Sequence, residues 1–393
     1  MKRNLNFSYS LYQSLYWMSA CFVYSYTRVF LQKLGFSASV AGAELAFSSI
    51  LSVLLQPWIA SALGKRKSLS LRSVITGALV LSLFCGGLLL VPVSMGVLAV
   101  FFLIAATMTL TVQPFINSVG FGYINEGASL NYSASRGVAS LAYAGISKIL
   151  AAVSELETGR GMLLCYLLMT AATLAVSLVL AQGAGSAGAG LTQRSSAGGS
   201  TGAFIKRYPG FSLMLLGQLL IFFQHNCING YMWDIIRYAG GTASDMGTAL
   251  LIGALAEVPV MLLFTRLEKG AGCHRLLQLA AILYVLKPLL ILLHPSIPMV
   301  YVSQGMQMVT YAFVVPGMAY YANRLLAEED RIRGQALITG SIAAAGFFGY
   351  LLGGLMVERA GILPSLWVAS SVVALGSLLL FLFARPLPQE RRV

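Results

Sequence analysis

Charge is the scarcest property of this chain: 10% of its 393 residues are Asp, Glu, Lys or Arg, where soluble domains carry about 25%. That shortage excludes a conventional water-facing surface. Histidine occurs three times, at 225, 274 and 294, and never in metal-type spacing. An integral membrane enzyme, which needs a cluster of His, Asp or Glu or a nucleophile beside a base, is therefore disfavoured. The five cysteines (Cys21, Cys85, Cys165, Cys227, Cys273) stand singly in or beside apolar runs, without a CxxC pair, and read as small packing residues. No GxxxxGK[ST] loop is present, which argues against an ATP-driven pump. No cofactor is implied.

What the chain has in abundance is apolar sequence, 58% of the total. Runs of about 20 apolar residues recur, the length an α-helix needs to cross about 30 Å of hydrocarbon at 1.5 Å per residue. The fold class is thus all-α and polytopic in a membrane. Twelve spans are predicted, near 7–31, 38–62, 73–93, 97–122, 130–153, 161–182, 208–232, 243–265, 275–294, 297–322, 334–356 and 362–384. They are numbered 1 to 12 below. Met1-Lys2-Arg3 precedes a long aromatic-rich run without a short apolar core and cleavage site, so the first run is expected to be kept as a span.

The net charge of +13 is read as topology, not as nucleic-acid binding. With both termini in the cytoplasm, inner segments hold 18 Lys and Arg, outer segments 5 and span interiors 3. Lys65-Arg66-Lys67, Lys206-Arg207, Arg331, Arg333 and Arg391-Arg392 all fall inside. The expected location is the inner membrane.

A stretch rich in Gly, Ser and Ala has a flexible-linker composition and divides the chain. The expected organisation is a six-helix bundle over 1–182, a cytoplasmic linker over 183–204 and a second six-helix bundle over 205–393. The halves echo each other. Gly35 to Gly42 opens span 2 as Gly240 to Gly247 opens span 8, and Arg136-Gly137 in span 5 has a counterpart in Arg333-Gly334 before span 11. Two related bundles suit alternating access around a central site, and hence transport.

Leu54-Leu55-Gln56-Pro57, Tyr132 to Ala144 and Ala256-Glu257-Val258-Pro259, with Lys287 in span 9, resemble the major facilitator superfamily, in the branch of lactose permease and the phenylpropionate-type permeases. The resemblance implies a proton-coupled symporter for a sugar or small oligosaccharide. Import of an aromatic acid or nucleoside, and export of a drug or metabolite, are the alternatives. By the same resemblance Arg136 clamps substrate, Tyr143 supplies the stacking ring in place of a tryptophan, Glu257 binds and couples, and Lys287 serves proton release. Asn117 stands where a span 4 carboxylate is usual, and Asn226 and Asn229 fall near acidic positions of span 7. Tyr311 and Val314 stand where span 10 of the sugar permeases carries histidine and glutamate. Protons and a small solute are the expected partners, with the bilayer, and the monomer is the expected unit.

A charge in mid-membrane costs about 2.5–3.5 kcal/mol on insertion scales, so each one is a functional candidate. Arg136 and Tyr143 lie seven residues apart, which is about 20° of rotation on a helix. An arginine fork beside an aromatic face suits a small polar organic solute. Glu257, two residues before Pro259, is a carboxyl in low dielectric that can exchange a proton near neutral pH, or form an ion pair with Lys287. Glu44 faces the cavity mouth or pairs with Arg28 or Lys33. His225, Asn226 and Asn229 form a polar patch in span 7. His225, with an unperturbed pKa of about 6.5, is a second proton carrier. Gln304, Gln307 and Tyr311 give span 10 a polar stripe, as Tyr24, Tyr26 and Arg28 do for span 1.

Overall fold

The computed structural model describes residues 5–65, 69–156, 159–180 and 201–386. These residues form helices and connections, with no strand among them. Ten helices are long and apolar enough to cross a membrane. Spans 2 to 6 are Ala38–Lys65, Leu71–Leu88, Met95–Asn125, Tyr132–Leu156 and Arg160–Leu180. Spans 7, 8, 9, 11 and 12 are Pro209–Gly230, Ala243–Ala271, Cys273–Leu293, Glu328–Ala360 and Ile362–Phe383.

The other two expected spans are helical but interrupted. Span 1 runs Leu5–Cys21, passes through a π-helical segment at Phe22–Tyr26 and resumes over Thr27–Lys33. Span 10 runs Ile297–Gly305, tightens into a 3-10 turn at Met306–Met308 and restarts at Tyr311–Leu325. Thr310 between them has φ −108° and ψ −80°. Apolar run length is blind to such breaks, because side-chain hydropathy carries no record of which carbonyl a backbone N–H selects. Breaks of this kind tend to occur where a helix lines a functional site.

Two boundaries differ from expectation. Span 11 begins at Glu328, six residues early, since Glu328, Glu329 and Asp330 occupy its first turn, where carboxylates favour the helix dipole. Thr201–Arg207 forms a short helix ahead of span 7, so the end of the expected linker is helical. Residues 183–200 of that linker, Arg66 and Lys67, and Arg391-Arg392 lie outside the described residues.

The chain divides into two compact units, residues 1–195 and 196–393. Each repeats one packing plan. The first helix lies against the fifth and sixth, the third against the fourth and sixth, and the second against the fourth. Tyr9, Tyr12, Tyr16, Phe115 and Val119 build one core, and Met214, Phe222, Leu277, Tyr284 and Met318 the other. Where spans 7 and 12 cross, a Cβ on Gly217 would stand 2.8 Å from the Gly376 carbonyl oxygen, so glycine is what lets the backbones meet.

The echo around Gly35 and Gly240 has a physical basis. Both glycines have positive φ (88° and 79°). Each closes the preceding helix with the same pair of bonds: Phe36 N donates to Leu31 O and Gly35 N to Gln32 O, while Gly241 N donates to Ile236 O and Gly240 N to Arg237 O. Helix prolines also repeat, Pro57 with Pro259 in the second helices and Pro114 with Pro316 in the fourth. The Arg136 and Arg333 echo fares differently. Tyr26 bonds the Ser147 carbonyl and Tyr231 the Tyr350 carbonyl. Aligning the fifth helices on those two bonds sets Arg136 against Thr339, six residues from Arg333.

Candidate functional site

Polar side chains gather in each unit. In the first, Arg136 of span 5 lies over the face of Trp17 of span 1, its Cζ 3.8 Å from the ring centroid. This is cation–π geometry. Trp17 stacks on Tyr24 (6.3 Å, 14°) and meets the edge of Tyr143 (6.3 Å, 61°). Arg136 Nη1 also donates to Ser140 Oγ at 3.4 Å. The Tyr143 hydroxyl is 2.6 Å from Ser25 Oγ, within the π segment. Arg136 and Tyr143 thus converge on one group, as their spacing predicts, and that group is an indole from another helix.

Deeper in the same unit, Gln13 Nε2 donates to Asn117 Oδ1 (3.0 Å) and to the Tyr9 hydroxyl (2.7 Å). Gln13 Oε1 is buried without a hydrogen bond. Asn117 therefore sits in an amide and phenol network. Tyr26 is fully buried, and its hydroxyl donates to the Ser147 carbonyl at 2.5 Å, pinning span 1 to span 5. Glu44 is buried in span 2, and its Oε2 makes no hydrogen bond.

In the second unit, His225 stacks on Tyr311 (5.0 Å, 17°), and its Nε2 lies 2.9 Å from Asn229 Nδ2. With Nε2 accepting from that amide, the ring proton belongs on Nδ1, which is buried without a partner. Asn226 turns elsewhere. Its Nδ2 donates to the Phe222 carbonyl (2.7 Å), and its Cβ packs toward Gly349 of span 11. The span 7 patch read from sequence is therefore two faces of one helix.

Gln307 Nε2 donates to Gln304 Oε1 (3.2 Å), and both amides lie over Gly253 of span 8. Glu257, half-buried, follows one turn later on the same helical face. Gln304 Nε2 and Gln307 Oε1 are buried without partners. Lys287 of span 9 is 1% exposed, and its Nζ has no hydrogen-bond partner. It lies within electrostatic reach of both Glu257 and His225. A buried ammonium left without a hydrogen bond is costly, so this position is expected to have a use.

Sequence reasoning passed over Trp17, Gln13 and Tyr284. Tyr284 is fully buried, its hydroxyl is without a hydrogen bond, and it lies in electrostatic reach of Glu257 and Tyr311. A Gln in mid-span was a readable signal. Trp17 carried none, because a tryptophan in an aromatic-rich span is ordinary until its neighbours are known. Among the described residues no group of three His, Cys, Asp or Glu could hold a metal ion, and all five cysteines are free.

Among the described residues, two units of one packing plan, with charged and amide side chains held inside apolar spans, form the architecture of a polytopic membrane protein. Comparison with known proteins sharpens that class. The Major Facilitator Superfamily model matches residues 214–393. The maltose permease of Geobacillus stearothermophilus is 28% identical over 358 residues, covering 89% of this chain and 86% of that protein. Among solved structures, a mutant form of the nucleoside transporter NupG superposes with a TM-score of 0.79 at 14% identity, covering 97% of this chain and 99% of that one. A mutant form of the peptide transporter POT gives 0.71 at 14% identity, covering 99% and 94%. At such identity the two structures speak to fold alone. Taken together, the family match over the second half of the chain, the similarity to the permease and the shared fold support a multi-pass membrane transporter of the major facilitator type.

Proposed function

We propose that this transporter is a proton-coupled symporter of a sugar or small oligosaccharide, working by alternating access as a monomer in the inner membrane, with both termini cytoplasmic. The observation that carries the reading is the group formed by Glu257, Lys287 and His225 beside the amides of Gln304 and Gln307. A carboxyl and an ammonium in reach of each other inside an apolar bundle form a pair whose net charge changes when one proton is taken up. The amides and the Tyr311 hydroxyl offer the neutral donors and acceptors that hydroxyl-rich solutes need. Arg136, Tyr143, Asn117, Asn226 and Asn229 complete the proposed substrate contacts. Tyr26, committed to the Ser147 carbonyl, is better read as support for them. The similarity to a maltose permease favours a sugar as cargo.

Purified protein in proteoliposomes tests this. With a proton gradient directed inward, maltose is expected to accumulate above its outside concentration, and a protonophore should return it to equilibrium. Gradient-independent uptake would rule out proton coupling.

A second reading is import of an aromatic acid, and the Lys287 Nζ without a hydrogen bond is what favours it. An ammonium so placed suits a carboxylate. Accumulation of 3-phenylpropionate in place of maltose in the same vesicles would select it.

A further inference from the structure

The contact between Arg136 and Trp17 carries an inference beyond the roles given to Arg136 and Tyr143. We propose that Trp17 of span 1 is the platform on which the ring of the solute stacks, and that Arg136 covers this platform until solute displaces it. The inference rests on the reading of the cargo as a ring-bearing solute.

Three features of the first unit argue for Trp17 over Tyr143. The Trp17 ring is already braced, stacked with Tyr24 and in edge-type contact with Tyr143, so its plane is fixed before anything binds. The Tyr143 hydroxyl is engaged with Ser25, which holds that ring edge-on and makes it a wall. The Trp17 Nε1 is a buried donor without a hydrogen bond, a vacancy that a hydroxyl or carbonyl oxygen of a stacked solute can fill.

The guanidinium at 3.8 Å occupies the same face that a solute ring would take. A planar cation and a flat ring compete for one indole surface, since both are attracted by it. Binding then exchanges one stacking contact for another. It also frees the guanidinium fork to swing to the polar edge of the solute, where it makes charge-assisted bonds stronger than its 3.4 Å contact with Ser140. A solute with an apolar face and no polar edge would displace the cation without repaying it. The platform therefore selects rings that carry an apolar face and an oxygen-rich rim, such as pyranoses, nucleosides and aromatic acids.

Tryptophan fluorescence reads this directly. Trp58, Trp233 and Trp367 are replaced by phenylalanine, leaving Trp17 as the sole indole of the full-length protein. Maltose, uridine and 3-phenylpropionate are titrated while binding is followed independently by calorimetry. For the probe that binds, Trp17 emission is expected to change saturably with the calorimetric dissociation constant. Trp17→Ala should weaken binding about tenfold or more, the scale of a lost aromatic contact, while Trp17→Phe, which keeps a ring, loses less. Arg136→Gln should shift the emission of the ligand-free protein.

Calorimetric saturation with unchanged Trp17 emission, or wild-type affinity in a correctly inserted Trp17→Ala protein, would overturn this inference and leave the ring-solute reading standing. A parent protein that binds none of the three probes overturns both.

Discussion

Tyr26 and Tyr231, 205 residues apart, perform one task in two places: each sits at a helix break and donates its hydroxyl to a carbonyl of the fifth helix of its unit. The backbones agree, with φ −111° and ψ −2° at Tyr26 and φ −115° and ψ 25° at Tyr231. The bonds measure 2.5 Å to Ser147 and 2.6 Å to Tyr350. A backbone group displaced from a helix inside an apolar bundle has no water to turn to, so a buried phenol that ties the break to a neighbour fixes its geometry. Removing either hydroxyl, as Tyr26→Phe or Tyr231→Phe, is expected to cost about 0.5–1.5 kcal/mol, with similar losses in the two variants. Thermal unfolding in detergent measures both.

Arg136 is expected to matter for binding and not for insertion. Losing charge-assisted hydrogen bonds worth about 1.5–3 kcal/mol should weaken solute binding by roughly 10- to 100-fold in Arg136→Ala. Binding measured on detergent-purified protein, beside the yield of membrane-inserted protein, separates the two effects. Unchanged affinity would remove Arg136 from the site.

Glu257→Gln holds the position permanently neutral at nearly constant volume. Uphill accumulation of solute in proteoliposomes is expected to vanish, while counterflow, which needs no net proton movement, persists at least in part. Wild-type accumulation would show that the coupling carboxyl lies elsewhere, and Glu44, which is buried with its Oε2 free of hydrogen bonds, would be next to test.

Lys287 offers an opposite signature. Replacing an ammonium that is 1% exposed and lacks a hydrogen bond by an apolar side chain of similar length removes a desolvation cost. Lys287→Met is therefore expected to raise the unfolding temperature of the ligand-free protein by about 2–4 °C for each kcal/mol recovered, while abolishing coupled transport. A fall in stability would mean that attraction to Glu257 outweighs desolvation.

The architecture was legible in the residues because a bilayer imposes a one-dimensional rule: about 20 apolar residues per crossing, whatever the neighbours. The repeat around Gly35 and Gly240 was legible too, since a left-handed helix stop selects glycine locally. Span 11 began early because three carboxylates that read as a loop also suit a helix N-terminus.

The site divides along the same line. Sequence by itself determined which residues are too polar for an apolar span, Arg136, Glu257, Lys287 and His225 among them. It could not determine which of them meet, because contact depends on the rotation and crossing of helices far apart in the chain. Only the tertiary structure laid Arg136 on Trp17, turned Asn226 toward span 11 and away from His225, and broke spans 1 and 10 beside their polar residues. Periodicity says that two residues share a face, but what that face touches is decided by packing.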